Sequence, residues 1–160
     1  MFDSWHAFTQ SILLAFTGAY AGFGVLHFLG MNPAVRAVPL STFAEFWQQL
    51  DRFMRVRMPP YALTQLALAA ISLVGYHDAP RSAAFGWSAA VVALLLIDMV
   101  HTIKIHLPLN RIIQGWNPAA LPTDAGLVRD RLMSAFTRRS AFMMGSFGCA
   151  LAAMMTRGAA

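Results

Sequence analysis

Charge is what this chain has least of. Only 12% of its 160 residues are Asp, Glu, Lys or Arg, against about 25% in an ordinary soluble domain. No formally charged side chain occurs between residues 4 and 35, or between 58 and 77. Cysteine is nearly missing as well. Cys149 stands alone inside an apolar run, which excludes an intrachain disulfide and any cysteine-based metal motif and leaves a small core residue. No basic stretch precedes the first apolar run, where only Asp3 and His6 are found. A cleaved signal peptide needs such a stretch, so a retained span is expected. Nor does any base-reading motif accompany the net charge of +5. Nucleic acid is therefore not the expected partner.

What is present is hydrocarbon. Apolar residues make up 58% of the chain and its mean hydropathy is +0.54. At this length the chain is one domain. The pattern predicts an all-α integral membrane four-helix bundle over residues 1–160, with spans at about 8–30, 61–76, 82–107 and 140–156. Span one is expected to end at Asn32-Pro33. Gly18 and Gly22 within it form a GxxxG pair, the spacing that lets a second helix approach, in this chain or in a homo-oligomer.

Residues 41–57 read as an extra amphipathic helix between spans one and two. Phe43, Phe46, Trp47, Leu50, Phe53 and Met54 make its apolar side. Thr42 with Glu45 has the spacing of a capping box. Asp51 and Arg55 are i, i+4 and expected to pair. Met58-Pro59-Pro60 is expected to break this helix before span two. The turn at 77–81 is short enough to make spans two and three antiparallel neighbours. Thr123 is expected to cap a helix that starts polar, carries Arg129, Arg131, Arg138 and Arg139, and runs on into span four as a cytoplasmic extension. The methionines of that span (Met143, Met144, Met154, Met155) read as core filling.

The arginines orient the chain. The first connector holds Arg36, Arg52, Arg55 and Arg57, and the third holds Arg111, Arg129, Arg131, Arg138 and Arg139. The other side has only Arg81 and Arg157. The positive-inside rule then places both connectors in the cytoplasm and both termini outside, in a multi-pass protein of the cell inner membrane.

Against this apolar background Asp98, His101, Lys104 and His106 stand out near the end of span three, which is expected to stop at Pro108. Ionisable groups inside a span usually face a bundle interior and mark a functional path. Asp98 and His101 are i, i+3 and share a face. His106 lies roughly 80° round an ideal helix from Asp98, so Lys104 and His106 are expected to snorkel toward headgroups. His27, at the end of span one, reaches a similar depth on the same side, and Glu45 lies on the segment that packs there. His27, Asp98, His101 and Glu45 are the candidate site.

Three chemistries suit this set. A transition metal would take His27, His101 and a carboxylate. A haem b would sit between His27 and His101. Without any cofactor, His101 would act as a general base oriented by Asp98. No Glu-x-x-His or His-Glu-x-x-His motif decides among them. A purely structural role for the same residues is the plain alternative.

The stretch LPLNRIIQGW after span three, preceded by WQQLDRFMRVRMPP, resembles the anthrone-oxygenase-like family of small integral membrane proteins. Its Pro-Leu/Ile-Asn…Trp signature falls on Pro108, Leu109, Asn110 and Trp116. The resemblance implies a four-helix membrane bundle with oxygen-dependent redox chemistry on a hydrophobic small molecule, since the characterised fungal members oxidise an anthrone to an anthraquinone. The residues themselves give Asn110 a local role, capping a helix over 111–116. The expected function is thus a membrane-embedded, oxygenase-like oxidoreductase. The alternatives are a haem- or metal-binding electron-transfer or sensing protein and a structural membrane subunit.

Overall fold

A computed structural model of the chain describes residues 2–157. They are almost entirely helical, and the helices stack end to end into four long rods. The first rod is α1 (Phe2–Leu26), a π-helical turn (His27–Met31) and α2 (Asn32–Ala37). The second is α3 (Leu40–Val74). The third is α4 (Ala83–His101), a second π-turn (Thr102–His106) and α5 (Leu107–Gln114), and the fourth is α6 (Ala125–Thr156). Successive rods are antiparallel. The first and third each touch the second and fourth, so the four close into a ring.

Three expected breaks at proline are not breaks. Asn32-Pro33 and Pro108 each begin a further stretch of helix. The reason lies just upstream. Each π-turn ends two residues before its proline, with the Asn32 amide bonded to the His27 carbonyl and the Leu107 amide to that of Thr102. A proline ring would otherwise press on the carbonyl four residues back. One extra residue in the turn opens that contact and lets the helix continue. At Pro59-Pro60, α3 also continues, so the amphipathic helix expected over 41–57 and the separate span expected over 61–76 fall in one helix. The carbonyls of Arg55 and Val56 lose their α-helical donors there. Both residues are exposed, and packing on either side, at Trp47 and Asp51 and at Gln65 and Ala69, outweighs the roughly 3 kcal/mol that proline costs.

The capping box at Thr42 is not used either. Leu40 begins α3 after an extended Pro39, without a side-chain cap, because Pro39 already turns the chain. Asp124 rather than Thr123 precedes α6, also without one.

Two apolar clusters fill the ring. One, nearer the α2–α3 and α5–α6 connections, contains Val35, Phe43, Trp47, Ile113, Val128, Leu132, Met133 and Phe136. The other contains Leu13, Ala69, Val91, Leu95 and Ala150. Close helix approach falls on Gly24, where an added Cβ would stand 3.3 Å from the Met143 side chain and the Ser140 backbone. Of the GxxxG pair, Gly18 faces Phe147 of the same chain and Gly22 has open space before it.

Two continuous helices, Ser4–Ala37 and Ala83–Gln114, are long and apolar enough to cross a membrane. Only 33% and 28% of their most apolar stretches are buried. Large apolar side chains instead point outward from all four rods, among them Phe8, Leu63, Val100 and Leu151.

Candidate functional site

Between the two apolar clusters the ring holds polar groups. Asp98 of α4 is buried. Its Oδ2 accepts a hydrogen bond of 2.5 Å from the Tyr20 hydroxyl of α1. Its Oδ1 accepts one of 2.8 Å from Arg139 Nε, and Arg139 Nη2 reaches Oδ2 at 3.1 Å. Arg139 Nη2 also donates to the Tyr20 oxygen at 2.6 Å. Three rods are thereby tied at one point. The partner of Asp98 is Arg139 rather than His101, because a guanidinium matches both carboxylate oxygens at once. Tyr20 is steadied by Tyr61, whose ring lies 5.9 Å away and whose hydroxyl donates to the Phe16 carbonyl.

Beside this knot three imidazoles gather on the face of α6. The His27 ring stacks on Phe136 with centroids 4.0 Å apart, and His106 meets the same phenyl edge-on at 4.8 Å. His101 and His106 face one another at 5.6 Å. The Arg139 guanidinium lies 5.5 Å from the Phe136 centroid, so knot and histidines share a neighbour. Both ring nitrogens of His27, both of His101, Nε2 of His106 and Oγ1 of Thr102 are buried without a hydrogen-bond partner. Most buried polar atoms have one.

His106 belongs to this cluster and does not snorkel; it is 2% exposed. The second π-turn is responsible. One residue wound into the helix sets back everything beyond it by roughly 100°. His106, roughly 80° from Asp98 on an ideal helix, thereby returns to within about 20° of it. Residues five apart align across a π-turn, which is why His101 and His106 meet.

Glu45 stays out of the site. It is exposed on α3 and lines a surface groove with Thr42, Phe46, Gln48 and Gln49. Among the described residues no three His, Cys, Asp or Glu side chains converge to hold a metal ion. The metal set of His27, Asp98, His101 and Glu45 is therefore not assembled: Asp98 is committed to Arg139 and Tyr20, and Glu45 faces outward. Phe136 stands between His27 and His106.

The segments 47–60 and 107–116 meet in a second polar knot. Asp51 accepts from Asn110 at 2.7 Å, from Gln114 at 3.1 Å and from Arg55 at 2.7 Å. Trp47 donates to Asn110 at 3.0 Å, and Gln48 donates to the carbonyls of Ile113 and Trp116. Asn110 therefore bolts α5 to α3 and does not cap a helix; it lies within α5. Alongside, α2 is fixed to α6 by Arg36–Asp130 and Asn32–Thr137, with Arg129 donating to the Val38 carbonyl.

Sequence reasoning missed Tyr20, Arg139, His106 and Phe136. Arg139 carried a usable signal, as one of the last two cations before the uncharged stretch 140–156. Tyr20 and Phe136 carried none in an aromatic-rich chain.

No protein-family model, no curated protein and no solved structure matches the chain.

Proposed function

We propose that this chain is a four-span membrane oxidoreductase of the oxygenase kind, acting on a hydrophobic small molecule, with both termini outside the cytoplasm. The outward-facing apolar side chains on all four rods support the spans, and the arginine asymmetry supports the orientation. The likeness of 107–116 and 47–60 to the anthrone-oxygenase-like family supports the reaction class. The observation that carries the reading is the group of buried, unpartnered imidazole nitrogens beside the Tyr20–Asp98–Arg139 knot.

An uncharged imidazole with a bare lone pair in an apolar site is a general base. His101 or His106 would take a proton from an acidic CH2 flanked by aromatic rings or a carbonyl. Arg139 keeps Nη1 outside the bonds of the knot and supplies fixed positive charge for the carbanion that forms. Dioxygen, as co-substrate, accepts the electrons. One CH2 and one O2 become one C=O and one water.

The test is oxygen uptake by the purified protein in vesicles with anthrone as probe, alongside a visible spectrum and metal analysis. The expected result is uptake above protein-free vesicles, one O2 per carbonyl formed, and a fall of about 100-fold or more in His101→Ala or His106→Ala that remain inserted. Uptake equal to the protein-free control would overturn the reading. A haem absorption band or stoichiometric metal would favour a binding or electron-transfer role.

A further inference from the structure

A cavity of about 510 Å³ opens between the third rod and α6, and its charged lining is Lys104, Asp130, Arg131 and Arg138. Its charge is one-sided. Asp130, the one carboxylate, is already paired with Arg36 at 2.7 Å. Lys104, Arg131 and Arg138 make no hydrogen bond or ion pair with any described residue. Three other cations are held elsewhere: Arg129 by the Val38 carbonyl, Arg139 by Asp98 and Arg55 by Asp51. Three unpaired cations therefore surround one cavity, over a wall made of Ile105, Pro108, Leu109 and Ala135.

The level of the cavity matters too. On α6 the uncharged stretch 140–156 begins two residues after Arg138, and on the third rod Lys104 follows the apolar run of α4. Cations at that boundary sit at headgroup depth, with exposed Ile103, Leu107 and Ile112 available beside them.

We infer that this cavity binds the anionic headgroup of a phospholipid from the surrounding leaflet, with the phosphate held by Lys104, Arg131 and Arg138 and the first acyl carbons against Ile105 and Leu109. Basic pockets between spans on the cytoplasmic side suit such headgroups. The inference rests on the membrane reading and is independent of the oxygenase reaction.

The experiment measures thermal stabilisation of the detergent-purified protein by dioleoyl phosphatidylglycerol, by the matching phosphatidylcholine, and by free glycerol phosphate. Phosphatidylglycerol should raise Tm saturably while the other two do not. Arg131→Gln and Arg138→Gln should each weaken half-saturation roughly fivefold. Both side chains are exposed, so folding is kept, and circular dichroism checks it. Arg52→Gln with Arg57→Gln, at the same end but outside the cavity, should change nothing. Equal stabilisation by phosphatidylcholine or free glycerol phosphate would overturn the site, as would an equal loss in the Arg52/Arg57 variant. Failure of the wild-type protein to enter phosphatidylcholine vesicles at all would instead overturn the membrane reading beneath it.

Discussion

Consider removing one half of the ion pair at the centre of the bundle. The Arg139 and Asp98 side chains are 12% and 7% exposed and joined by bonds of 2.8 and 3.1 Å. Breaking such a pair leaves a buried charge without compensation and costs about 3–5 kcal/mol. Asp98→Asn or Arg139→Met should each cost that much, and at about 2–4 °C per kcal/mol for a chain of this size Tm should fall by roughly 10 °C. The double variant removes both charges together. It should be destabilised by less than either single change, because replacing a buried pair outright is often near neutral. Tyr20→Phe deletes the hydroxyl shared by both partners and should cost about 1.5–3 kcal/mol. Thermal unfolding in detergent, followed by fluorescence of the four tryptophans, gives all four values. If the double variant loses the sum of the single losses, the two side chains do not act as a pair and the description of the knot is wrong.

Three further outcomes are expected. Asp51→Ala releases Asn110, Gln114 and Arg55 together; hydrogen exchange in 107–114 should accelerate, and unchanged protection there would contradict the bolt between α5 and α3. Gly24→Leu forces a side chain into the α1–α6 contact and should cost about 1–3 kcal/mol, whereas Gly22→Leu meets open space and should leave Tm unchanged in a monomer; a drop in oligomer mass with Gly22→Leu would place a second copy on that face. Single cysteines at 52 and 57 should be labelled from the cytoplasmic side and one at 81 from the other, and the reverse pattern would invert the topology.

Much of the helix plan was legible because long apolar runs are a property of composition. The antiparallel pairing across 77–81, the Asp51–Arg55 pair and the long α6 follow from local spacing, and the structure has them. The breaks were misread at Pro33, Pro59 and Pro108. Proline signals a lost amide, and nothing local says that a π-turn or flanking packing will absorb the loss. The same blindness hid His106, since helical phase was counted at 3.6 residues per turn through a segment that does not keep it. Asp98 was recognisable as an inward-facing carboxylate. That the partner is Arg139, forty-one positions away, depends on how α4 and α6 lie together, and no spacing rule reaches that far.

The two π-turns have a consequence for the gene as well as for the fold. Each amounts to one codon more than a plain helix would need, placed just ahead of a proline. In most helices a one-codon insertion or deletion is ruinous, since it turns every later side chain away from its neighbour. Here the surplus residue is what reconciles two halves of a rod whose demands are out of phase: Asp98 must meet α6, and Asn110 must meet α3. Deleting one codon within 102–106 should therefore turn Asn110 away from α3 while Asp98 stays on α6, and restoring one residue within the same turn should bring it back.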